Sequence, residues 1–110
     1  MWWLTSNQRV LGLIGLATRA GKVVFGSEAT LEAIERKKVR LVLIAGDAAD
    51  RTKENFTFKC EKSGIPVHIF SVIDDLSKAI GKSNKAVIGI KEKNLVNEIL
   101  KIINGGDIIG

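Results

Sequence analysis

The side chains that most often carry covalent or metal chemistry are scarce in this chain, with Cys60 its single cysteine and His68 its single histidine. One thiol forms no internal disulfide, and one Cys with one His falls short of a zinc ligand set. Cys60 therefore reads as a core thiol and His68 as a residue on a strand face. Gly15 and Gly21-Lys22 invite comparison with a nucleotide-binding loop, whose glycines cradle phosphates while a lysine reaches the terminal ones. The comparison fails. Five residues separate the glycines where four are needed, Val23 replaces the magnesium-binding Ser or Thr, and the segment follows a helix. No G-x-G-x-x-G is present either. What survives is Gly26-Ser27-Glu28-Ala29, between a short apolar strand and a helix. A glycine there can take a positive φ and bring backbone close to a ligand, while Ser27 is placed to cap the helix. The unpaired N–H groups of that helix start make a polar, electropositive platform suited to anions.

The elements that must hold this platform follow from periodicity. Thr5 and Gln8 form a capping box for a helix from about Ser6 to Ala20, with Val10, Leu11, Ile14 and Ala17 at helical spacing. Leu13 and Leu16 widen its apolar surface, and Gly12 and Gly15 predict a close approach to a neighbour. Val23 to Phe25 reads as a short strand, either at an edge or paired antiparallel, and Gly26 as the turn. The second helix turns Leu31 and Ile34 inward and Glu28, Glu32 and Glu35 outward, ending in Arg36-Lys37-Lys38. That basic run answers the macrodipole at the far end of the helix from Gly26 and reads as solvated surface.

Leu41 to Ala45 has no alternation, as expected of a strand covered on both faces. Asp47 or Asp50 is placed to cap the third helix, which stops at Ser63-Gly64 before a strand from Val67 to about Phe70. Ser71 or Asp74 opens a short helix closed by Gly81, and Ala86 to Ile90 is the last strand. Asn94 caps a final helix with Leu95, Val96, Ile99, Leu100 and Ile103 on one stripe, and residues 105–110 read as a frayed tail. Strict alternation of helix and strand predicts one α/β domain over residues 1–110, a three-layer α/β/α sandwich around a small, mostly four-stranded mixed sheet.

A chain of 110 residues with 45% hydrophobic and 26% charged residues builds one core, and no apolar run is long enough to span a membrane. Met1-Trp2-Trp3-Leu4 lacks the features of a signal peptide, so a cytoplasmic location is expected. The net charge of +5 favours polyanionic partners through counterion release.

The run V-V-F-G-S-E-A-T-L-E-A-I-E-R-K-K-V-R-L-V-L-I-A-G-D-A resembles the kink-turn RNA-binding ribosomal protein family, of the L-seven-Ae and L-thirty-e type. It is especially similar to the small bacterial members, the YlxQ type. The likeness spans roughly Leu11 to Ile103 and includes Ala20-Gly-Lys22, Gly64-Ile-Pro66 and Leu76…Ala79-x-Gly81. It implies that the start of the second helix enters the opened groove of a kinked RNA while the loop after the third strand packs on extruded bases. A kink exposes base edges that regular A-form RNA hides, and helix N–H groups can meet crowded phosphates. Matched residue by residue, Lys22, Gly26, Ser27, Glu28 and Ala29 fall on the first contact region, and Phe70, Ser71 and Val72 on the loop.

The chain departs from the family pattern where it matters. The strongest RNA binders carry Asn-Glu as second and third residues after the turn glycine and a Lys six on, whereas Glu28, Ala29 and Glu32 stand here. Ser71 likewise replaces a basic loop residue. These changes are expected to weaken phosphate contact and alter base readout. The implied reading is a non-enzymatic, monomeric protein that binds structured or ribosomal RNA and needs no cofactor or metal. The alternative is a protein-interaction module on the same fold, using the acidic face of the second helix.

Overall fold

The computed structural model describes residues 4–105. Trp2, Trp3 and all of the expected tail but Gly105 lie outside them. Five helices alternate with four strands: α1 (Ser6–Arg19), β1 (Val23–Phe25), α2 (Ser27–Glu35), β2 (Leu41–Ile44), α3 (Asp50–Ser63), β3 (Val67–Ile69), α4 (Ile73–Ala79), β4 (Val87–Ile90) and α5 (Lys93–Ile103). Both halves of the Thr5/Gln8 capping box form. α3 stops at Gly64, which is left-handed at φ 72°.

The strands form one mixed sheet in the order β1-β4-β2-β3. β4 runs antiparallel to both neighbours, and only β2 and β3 are parallel. β1 is thus an antiparallel edge strand, with Val23 opposite Ile90 and Phe25 opposite Ile88. α2 and α3 pack together and against the sheet, while α1, α4 and α5 form the opposite layer. The expected α/β/α sandwich is the observed architecture. β2 lies at its centre, with Leu41 through Ala45 buried. Gly89 of β4 leaves room for its neighbours, because a Cβ there would lie 2.8 Å from Val39 Cγ1 and 3.0 Å from Val24 Cγ2. A side chain at position 89 has no room on the α2 face of the sheet.

Several local expectations are corrected. Ser27 does not cap α2; Gly26 occupies the cap position, and no side chain bonds the first turn. Neither Asp47 nor Asp50 caps α3, whose cap residue is Ala49. Asp47 instead reaches across the chain and accepts from Ile73 N at 2.8 Å, serving the start of α4 in place of Ser71 or Asp74. α5 is capped by Glu92, whose carboxylate accepts from Asn94 N and Leu95 N, and not by Asn94. A longer acidic side chain just before the helix satisfies two N–H groups at once. Those bonds hold the Glu92 carboxyl below its usual range, assisted by Lys22 and Arg40. On α5 the buried residues are Val96, Ile99 and Ile102, with Leu95, Leu100 and Ile103 half-buried beside them. Leu31 of α2 is likewise only half-buried, and Leu16 of α1 is exposed. Gly15 meets Ala79 O at 3.5 Å from a Cβ position, but Gly12 faces open space and needs no glycine for packing.

Candidate nucleic-acid interface

The antiparallel placement of β4 decides what meets at each end of the sheet. Phe25 at the end of β1, Val87 at the start of β4, Ile44 at the end of β2 and Ile69 at the end of β3 share one end through their register. Backbone bonds stitch it: Gly26 N donates to Val87 O at 3.0 Å, Ala45 N to Ala86 O, Phe70 N to Ile44 O and Gly46 N to Ser71 O, each of the last three at 2.8 Å. The start of α2 and the Phe70–Val72 loop therefore lie on the same end, at opposite edges. Three strand spacings put them roughly 14 Å apart.

Gly26 has φ 85° and ψ 160°. That region is essentially restricted to glycine, because any Cβ would be strained there. The geometry lets β1 break directly into α2, whose first intrahelical bond runs from Thr30 N to Gly26 O at 3.1 Å. The N–H groups of Ser27, Glu28 and Ala29 are left without acceptors among the described residues, and all three residues are exposed. Uncapped donors at the positive end of a helix dipole present a ready surface to an anion or a base edge.

The loop after β3 is ordered by its neighbours. Phe70 is buried, so its ring lies under the loop and supports it from the core side. Ser71 sits at φ 60°, and its hydroxyl is buried with no hydrogen-bond partner. Val72 is exposed at the surface of the loop. Gly46 has no Cβ to press on Ser71 O, which would lie 3.2 Å away. Lys53 Nζ donates to Gly46 O at 2.7 Å and ties the start of α3 to the same turn.

Lys22 is not brought to this end. It precedes β1, and its carbonyl accepts from Lys91 N at 2.8 Å beyond the far end of β4. Three residues of extended chain, and so four residue steps, separate Lys22 from Gly26, roughly 13 Å. Arg36-Lys37-Lys38 lies at the other end of α2, a nine-residue helix spanning about 13 Å. Arg36 there pairs with Glu32 at 3.3 Å.

Two lysines without a motif of their own do reach the Gly26 end. Lys82 and Lys85, in the connection from α4 to β4, place their ammonium groups 5.2 and 5.7 Å from the centroid of the Phe25 ring. The only signal was the pair of cations in Gly-Lys-Ser-Asn-Lys-Ala, and nothing in that string tells which strand end it adjoins.

Cys60 is buried, and its thiol is pushed up to about 11 by burial and then by Glu61. It stays a protonated core thiol at neutral pH. Among the described residues no group of three or more His, Cys, Asp or Glu side chains could hold a metal ion. No helix among them is long and apolar enough to cross a membrane.

An α/β/α sandwich whose one sheet end gathers an uncapped helix start, a shaped loop and two lysines beside an aromatic ring has the makings of a polyanion-binding protein. Residues 8–100 match the ribosomal protein L7Ae/L30e/S12e/Gadd45 family, and the chain belongs to that family. It is 32% identical over 100 residues to the RNA-binding protein YlxQ of Enterococcus faecium, covering 91% of this chain and 96% of that one. It is 34% identical over 86 residues to the large ribosomal subunit protein eL30 of Sulfurisphaera tokodaii, covering 74% and 81% of the two chains. Among solved structures, a Bacillus halodurans protein of unknown function superposes with a TM-score of 0.84 at 33% identity, over 87% of this chain and 97% of that one.

Proposed function

We propose that this chain is a non-enzymatic RNA-binding protein that reads a kinked or similarly structured RNA, acting as a monomer. The start of α2 enters the opened groove, and the Ser71–Val72 turn supports the extruded bases. The carrying observation is Gly26 at φ 85° and ψ 160°, which leaves the N–H groups of Ser27, Glu28 and Ala29 uncapped on an exposed sheet end. Family membership and the likeness to a protein named as RNA-binding support the same reading. Lys22 contributes only general electrostatic attraction in this scheme, since it lies beyond the other end of β1.

The test is Gly26→Val. A β-branched residue cannot hold that backbone geometry, so the first turn of α2 shifts and its donors lose their alignment. Affinity for a kinked RNA should fall at least about tenfold, equivalent to 1.4 kcal/mol, in excess of any effect on an unkinked control. Gel shifts beside circular dichroism melts separate this from unfolding. Unchanged binding by a folded variant would remove Gly26 from the interface. Equally weak binding of kinked and unkinked RNA by the natural protein would instead favour a protein partner, for which the exposed Glu28 and Glu32 on α2 supply an acidic face.

A further inference from the structure

Lys82 and Lys85 are held in place by a buried serine. Ser77 in α4 is 2% exposed. Its carbonyl accepts from Lys82 N at 2.8 Å, and its hydroxyl accepts from Lys85 N at 2.8 Å while donating to Lys85 O at 3.3 Å. Gly81 at φ 71° and Asn84 at φ 55° make the tight turns that this anchoring requires. The result is a short loop whose two cations converge on one aromatic ring, each within 6 Å of the Phe25 centroid. Two ammonium groups so placed lie within roughly one Debye length of each other, about 10 Å at 0.1 M salt, and repel. Among the described residues no carboxylate forms an ion pair with either. The ring quadrupole attracts both but neutralises neither.

Their position gives the unmatched charge a direction. Val24 faces the α2 side of the sheet, where it would touch a Cβ at position 89 beside Val39. Alternation along β1 then turns Phe25 to the opposite face, the side on which α4 packs. Gly26 and α2 follow immediately. The end of β1 is therefore flanked by a pair of cations on one side and by the uncapped helix start on the other. Both point off the same end of the sheet.

We propose that Lys82 and Lys85, gathered at the Phe25 ring, form a phosphate-binding site for the RNA backbone, engaging the strand that enters the groove beside the start of α2. The site rests on the RNA-binding reading above and adds to it a contact that supplies cationic charge next to Glu28. Ser77 is its positioning residue. The ligand is a backbone phosphate and not a base, because lysines offer point charges without a planar hydrogen-bond pattern.

The test is the salt dependence of RNA affinity. The natural protein, Lys82→Ala/Lys85→Ala, Lys82→Arg/Lys85→Arg and the remote control Lys59→Ala/Lys62→Ala are titrated with fluorescent kinked and unkinked RNA from low to moderate salt. Each phosphate contact contributes about 0.7 to 0.9 to the slope of log K against log salt. The double alanine variant should lose about 1.5 units of slope and bind at least about tenfold more weakly at low salt, the arginine variant should keep the slope, and the control should change little. Equal slopes for the two alanine variants would overturn the phosphate site, whichever RNA is bound. A preference for kinked RNA that persists in that case leaves the α2 reading standing. Loss of slope without any preference for the kinked RNA keeps the phosphate site and overturns only the kink. Absence of RNA binding overturns both.

Discussion

The exposed first turns of α2 offer a gain-of-function perturbation. Replacing Glu28 with Asn and Ala29 with Glu, together with Glu32→Lys, restores the residues that the family's strong RNA binders carry there. Glu28, Ala29 and Glu32 are all exposed, so no core packing changes. The first two substitutions move an acidic side chain one position within the first turn, leaving its favourable interaction with the helix dipole nearly intact. Glu32→Lys breaks the exposed pair with Arg36, both side chains 64% accessible, and sets two cations four residues apart. An exposed pair of that spacing contributes about 0.3–0.5 kcal/mol and a like-charge pair costs a similar amount, so stability should fall by no more than about 1 kcal/mol. Against this, each good base contact adds about 1–3 kcal/mol of discrimination. The added lysine brings one more phosphate contact, with a slope increase of about 0.7–0.9. Even one contact at the low end, with the phosphate, should tighten kinked-RNA binding at least about tenfold, 1.4 kcal/mol. A fluorescence titration against a kinked RNA and the same RNA straightened by base changes reads this directly. Equally weak binding of both RNAs by the natural protein and the variant would refute the reasoning.

Two further predictions concern the frame that holds the interface. Gly89→Ala should destabilise the fold by about 1–3 kcal/mol, because Val39 and Val24 are β-branched and cannot swing clear of a new methyl; a loss of urea-measured stability below about 0.5 kcal/mol would show that Val39 and Val24 yield freely. Glu92→Gln tests the α5 cap through pH. The native carboxyl titrates below its ordinary value of 4.5, so its stabilising contribution is present above that value and is lost as pH falls through the lower, native one. The natural protein should therefore be the more stable at about pH 7, with the difference closing as pH falls below 4.5 and through the lower, native value. A gap in urea stability that is constant with pH would mean that the charge on Glu92 plays no part.

Legibility in the sequence tracked the range of the interaction. The Thr5/Gln8 box and the Gly64 stop were readable because each is settled within a few residues of chain, and Leu41–Ala45 because an unbroken apolar run has nowhere to go but the centre. Gly26 was readable for the same reason: a strand breaking into a helix needs a backbone geometry that only glycine holds without strain. The start of α4 marks the limit, since Asp47 serves Ile73 from 26 residues away and no local pattern announces it. The same limit explains the lysines. Lys22 is near Gly26 in sequence, but a strand carries it to the opposite end of the sheet, whereas Lys82 and Lys85 are distant in sequence and arrive because β4 runs antiparallel to β1. Strand order, which long-range pairing alone decides, determines which cations stand beside the helix start. In a chain whose α2 face has turned acidic at Glu28 and Glu32, the charge available to an RNA backbone at that end comes from a different loop of the fold.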